Sequence, residues 1–70
     1  MYTIKIITLN DDCVITADTR DDAYIIGDVA AKYALTTGED VIIIITDGYH
    51  AEVTNISGGT VGAQYSMHAA

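Results

Sequence analysis

The segment Val41-Ile42-Ile43-Ile44-Ile45-Thr46 carries five large or branched apolar side chains in succession, so a strand formed there is apolar on both of its faces. A half-exposed strand alternates apolar and polar residues, whereas an unbroken run belongs to a strand covered on both sides. At a sheet edge the same run would offer a template for aggregation, so it belongs in the interior of a sheet. The chain that must cover it has only 70 residues. Below roughly 80 residues one core supplies a few kcal/mol of net stability and cannot be divided, so a single domain is expected.

The rest of the chain supplies neighbours for that strand. Tyr2 to Leu9 alternates, with Tyr2, Ile4 and Ile6 on one face and Thr3, Lys5, Ile7 and Leu9 on the other, and reads as a first strand. Asn10-Asp11-Asp12 is a compact polar interruption of the kind that reverses a hairpin, and Cys13 to Ala17 resumes the β pattern. Asp47-Gly48 is a hairpin signal after the isoleucine run, and Tyr49 to Ser57 alternates as a fourth strand. Gly58-Gly59 and Gly62 punctuate residues 58–70, which are read as a glycine-rich tail or a short fifth strand.

Between the second and third strands lies one helix. Asp18 or Thr19 offers the N-cap, with Thr19 and Asp22 spaced as a capping box, and Gly38 supplies the left-handed residue that ends the helix after Thr37. At 100° per residue, Ala23, Ile26, Val29, Ala30, Tyr33 and Ala34 share one sector and are expected to face the core. Tyr24, Ala31 and Leu35 form a narrower apolar stripe to one side, with Gly27 between the two.

The expected fold is therefore α+β: a ββαββ domain over residues 1–57, with a four-stranded antiparallel sheet and one helix on one face. Strand order 2-1-3-4 keeps the isoleucine run central, and a ubiquitin-like 2-1-4-3 is the alternative. One helix covers one face only. Either Ile42 and Ile44, or Val41, Ile43 and Ile45, are left on the other, and each large aliphatic side chain kept from water contributes about 1.5 to 3 kcal/mol. A second copy packed sheet to sheet through Ile42, Ile44, Ile7 and Leu9, a protein partner, or the C-terminal tail folded back are the candidate covers.

Charge is the second constraint. Ten carboxylates against three cationic side chains leave a formal charge of −7, which favours a basic partner. With the expected topology Asp11, Asp12, Glu39 and Asp40 gather at one end of the domain. Asp18, Asp21, Asp22 and Asp47 gather at the other with Arg20, leaving Asp28, Glu52, Lys5 and Lys32 between. Asp18, Asp21 and Asp22 suit a helix N-terminus and Asp47 suits a turn, so structure accounts for them. Glu39 and Asp40 oppose the negative end of the helix dipole, which makes the first cluster the functional candidate.

Other functions find little in the residues. His50 has Asp47 near it in sequence but no positioned nucleophile, and the lone Cys13 lies on a different hairpin, so the chain is not expected to be an enzyme. Neither Asp47 with His50 nor Asn10-Asp11-Asp12 has the spacing of a zinc or EF-hand site, and no cofactor is expected. Gly58-Gly59-Thr60-Val61-Gly62 lacks the lysine and the following helix of a phosphate loop. Lys5, Arg20 and Lys32 are too few to track a phosphate backbone, which argues against direct nucleic-acid binding. Nothing in the chain reads as a secretion signal or a membrane span, and a single cysteine suits a reducing, cytoplasmic setting.

In size, acidity and element order over Tyr2 to Ser57, the chain resembles the small phage-encoded anti-CRISPR proteins. That family shares no motif, so the resemblance transfers no residue roles. It implies an inhibitor in the cytoplasm of a bacterial host that occupies a nucleic-acid-binding surface of a CRISPR effector subunit and keeps target DNA out. In that reading Asp11, Asp12, Glu39 and Asp40 engage basic residues, and Tyr24 and Leu35 anchor the contact. A homo-oligomeric structural or accessory protein, whose charge maintains solubility around an apolar sheet, is the alternative.

Overall fold

A computed structural model describes residues 1–68. The chain forms β1 (Tyr2–Thr8), β2 (Asp12–Ala17), α1 (Arg20–Thr37), β3 (Val41–Thr46), β4 (His50–Ser57) and β5 (Thr60–His68). The strands make one open sheet in the order β2-β1-β3-β4-β5, and every neighbouring pair is antiparallel. The favoured order is thus present but extended: the sheet has five strands rather than four, and residues 60–68 are a long edge strand rather than a tail.

Local chemistry explains where each element ends. Thr8 closes the first hairpin, its backbone N–H and its hydroxyl both donating to the Asp11 carbonyl at 2.9 Å. The turn therefore falls at Leu9-Asn10, one residue earlier than the polar triplet suggested. Thr19 caps α1 by accepting from the Asp22 N–H at 3.2 Å, and Gly38, at φ 78°, ends it by donating to the Ala34 carbonyl. At the β3–β4 turn the Asp47 carboxylate accepts from the N–H groups of Tyr49 and His50 at 2.9 and 2.8 Å.

The fifth strand rests on Gly58 and Gly59, both at positive φ (59° and 77°). A two-residue hairpin loop whose twist matches its strands needs φ > 0 at both positions, and glycine meets that need without steric cost. Ser57 and Thr60 pair directly across this loop. A register shift at Asn55/Ile56 lets Gly62 bulge, after which Ala63 to His68 pair regularly with Asn55 to His50. The alternation of Tyr65 and Met67 with Gln64, Ser66 and His68 is the β signal in this segment, diluted by glycine and alanine.

Strand parity settles which isoleucines face the helix. Val41, Ile43 and Ile45 share a face with Tyr2, Ile4 and Ile6 of β1 and with Ile56 of β4, and the core is built from Ile4, Ala17, Ala23, Ala34, Val41, Ile43 and Ile56. Ile42 and Ile44 lie on the opposite face beside Ile7 and Val53.

The helix meets the sheet along a different line from the one its apolar sector implies. Its buried residues are Ala23, Gly27 and Ala34, with Ile26, Ala30 and Ala31 packed against the core, whereas Val29 and Tyr33 are 64 % and 54 % exposed. Small side chains let the backbone approach the sheet closely, and the larger ones are displaced to the flank. Gly27 sits at the tightest point of this approach, against Ile43 and Ile45.

Candidate protein-binding surfaces

One end of the domain carries the β1–β2 turn, the C-terminus of α1 and the β4–β5 turn. The last two are adjacent, since the Leu35 carbonyl lies 3.5 Å from where a Cβ on Gly59 would stand. Asp11, Asp12, Glu39 and Asp40 all lie at this end and all are exposed. Asp11 accepts from the Asp12 N–H within its turn at 2.9 Å, and Asp40 accepts from the hydroxyl of Ser57 at the end of β4 at 2.8 Å. The last helical turn contains no basic residue to offset Glu39 and Asp40.

The displaced helix residues make a wall. Between them and the β1–β2 side of the sheet runs an open groove of about 480 Å³, bounded by Ile25, Val29 and Tyr33 from α1 and by Ile6, Ile15 and Val41 from the strands. Tyr33 stands where this groove meets the acidic end: it lines the groove, and the Glu39 carboxylate near it holds its phenol above the ordinary tyrosine range. Thr8 also belongs to both regions, lining the groove and closing the turn on Asp11. The groove could not be seen from the helical pattern alone, because that pattern assigns Val29 and Tyr33 to the core.

The sheet face away from α1 is a second uncovered surface. Of the two sets the sequence left open, it is Ile42 and Ile44, with Ile7, that lie on it, and β5 does not fold across it. It widens the face instead, since Tyr65 pairs with Val53 and Met67 with Ala51. Lys5 and Asp12 are the charged side chains that parity places here. Leu9 lies past the end of β1, in the β1–β2 turn and 86 % exposed, at the margin of this face. A shallow depression of about 270 Å³ lined by Ile7, Leu9, Asp40, Ile42 and Asn55 connects the face to the acidic end.

The opposite end is built differently. The Arg20 guanidinium lies over the Tyr24 ring at 5.2 Å, Glu52 lines the same hollow with Arg20, Tyr24 and Asp47, and the Glu52 carboxylate, with burial adding to it, raises the Tyr24 phenol. Glu52 thus belongs to this end rather than to the waist. Beside it the rings of His50 and His68 stack at 4.6 Å, nearly parallel. Tyr24 is already engaged, and it lies eleven residues before Leu35, about 16 Å along the helix axis. The two residues taken together as an anchor therefore occupy opposite ends, with Leu35 beside the carboxylate cluster and Tyr24 remote from it.

Among the described residues no three His, Cys, Asp or Glu side chains gather as a metal site, and no helix is long and apolar enough to cross a membrane. The glycine-rich stretch 58–62 is a hairpin loop and bulge leading into β5. Comparison with protein-family models, curated proteins and solved structures finds no match. What the geometry defines is a small α+β domain with a carboxylate cluster at one end and two uncovered apolar surfaces leading away from it.

Proposed function

We propose that this protein is a protein-binding inhibitor that seats its carboxylate end on the basic, nucleic-acid-binding surface of a larger protein. The observation that supports this reading most is the continuity of Asp11, Asp12, Glu39 and Asp40 with an apolar groove through Tyr33. Carboxylates steer the encounter over long range, and a tyrosine with aliphatic neighbours supplies contact area that excludes water. The likeness to anti-CRISPR proteins supplies the target class: a DNA-binding subunit of a CRISPR effector, met in the cytoplasm of a phage-infected cell.

The test is inhibition of target-DNA binding by purified effector complexes, read by mobility shift at several salt concentrations. The reading predicts loss of DNA binding at near-stoichiometric inhibitor, weakening as salt rises. Changing Asp11, Asp12 and Asp40 to Asn and Glu39 to Gln should relieve inhibition, as should Tyr33→Ala; neutralising Asp18, Asp21 and Asp22 should do so far less. Equal relief by the two charge sets would overturn the assignment to this end, and effectors that keep their DNA throughout would overturn the inhibitor reading.

The uncovered sheet face favours a second reading, a homo-oligomeric structural or accessory protein. A stable oligomer together with no effect on any effector would select it.

A further inference from the structure

We propose that the outer edge of β5 pairs antiparallel with β5 of a second copy of this chain about a two-fold axis, joining two five-stranded sheets into one. The inference concerns the isolated chain and stands apart from any basic target.

An edge strand presents a row of unpaired N–H and C=O groups, and proteins that remain monomeric blunt such edges with lysine, proline, bulges or shortness. The other edge of this sheet, β2, is six residues long, begins at Asp12 and is bracketed by Asp11 and Asp18. β5 has nine residues, all exposed, and Thr60 to His68 includes no Asp, Glu, Lys, Arg or Pro. Its bulge lies near the turn, opposite Asn55/Ile56, and leaves Ala63 to His68 in regular pairing. The helix packs on β1, β2, β3 and β4, so the far side of β5 is not under it.

Charge selects the occupant. Two copies each carrying −7 repel wherever their carboxylates approach, and β5 is the sheet edge that holds none. An antiparallel strand is also self-complementary: with the axis at Tyr65, the middle of Ala63 to Met67, Tyr65 meets its own counterpart and Ala63 meets Met67. The pairing is isologous and closes as a dimer. Backbone hydrogen bonds provide the contact, as in strand addition to a sheet edge. Tyr65 and Met67 then run on into the partner's uncovered face, making the two apolar faces one.

The full chain is examined by sedimentation velocity from low micromolar to about 200 µM, since dimer population depends on concentration. The expected mass rises from 7.5 kDa to twice that and no further, with tighter association at higher salt. Two variants place like charges across the new seam: Gln64→Lys with Ser66→Lys, and Gln64→Glu with Ser66→Glu. Each should weaken dimerisation about ten-fold or more, while an equimolar mixture should form a heterodimer visible by native mass spectrometry. Circular dichroism checks that both variants fold, and amide exchange of Thr60 to His68 in the unmodified chain, slower at high concentration, reads the same contact without a variant. A monomer throughout the range, an assembly larger than a dimer, or a dimer abolished by Ile42→Lys but indifferent to the β5 charges would each overturn the proposal.

Discussion

Gly27 of α1 and Ile45 of β3 are in such close contact that a methyl group placed on Gly27 would stand 2.8 Å from Ile45 Cδ1. The helix face turned to the sheet is the one that carries Ala23, Gly27 and Ala34, which leaves Val29 and Tyr33 outside the core as a groove wall.

Substitution at Gly27 separates two opposing effects. Alanine gains about 1 kcal/mol of helix propensity over glycine, and the atom it meets is the movable tip of a side chain. Gly27→Ala should therefore change stability by less than about 1 kcal/mol. Gly27→Val adds two further carbons toward Ile43 and Ile45, and overpacking of that kind costs about 1 to 3 kcal/mol. Urea unfolding of the two variants gives the comparison; an equal loss in both would mean that the helix cannot adjust at all.

The N-terminus of α1 depends on one hydroxyl. Thr19→Ala removes the acceptor for the Asp22 N–H and should cost about 1 kcal/mol, while Thr19→Ser retains most of it. Thermal unfolding should place serine near the unmodified protein and alanine clearly below.

Asp47 should contribute a pH dependence. Its carboxyl is held below the ordinary range mainly by the Tyr49 and His50 N–H groups that donate to it. A group whose folded-state pKa is depressed adds stability that is present above its unfolded pKa, near 4, and lost as pH falls through the folded value. Denaturant midpoints measured from pH 6 down to pH 2.5 should fall more steeply for the unmodified chain than for Asp47→Asn, which keeps an acceptor oxygen without the charge. Parallel curves would remove Asp47 from the acid response.

The β4–β5 turn offers a local test of the edge strand. Gly58 and Gly59 both hold positive φ, where an L side chain costs about 1 to 2 kcal/mol. Gly59→Val should lower stability by about that amount or more, with amide protection lost first in Thr60 to Ser66 and last in β1 and β3. Uniform loss across the sheet would show that β5 unfolds only with the whole domain.

Much of this architecture is legible in the chain because it is encoded locally. The Thr19 cap, the Gly38 stop, the Asp47-Gly48 turn and the apolar run of β3 act through near neighbours and the period of side-chain direction, so the elements and the central place of β3 follow from reading along the sequence. The acidic end follows too, since it depends only on which turns share an end. β5 is only one of two readings of its segment, although Gly58-Gly59 is as good a hairpin signal as Asp47-Gly48, because the small residues after it dilute the alternation. Tertiary structure alone decided three things: that Ile42 and Ile44 face away from the helix, that the C-terminal strand extends the uncovered face instead of closing it, and that Tyr33 stands between groove and carboxylates. Each depends on where one element rests on another, in the packing of α1 on the sheet and in the strand pairing, contacts between residues far apart in sequence that no local pattern records.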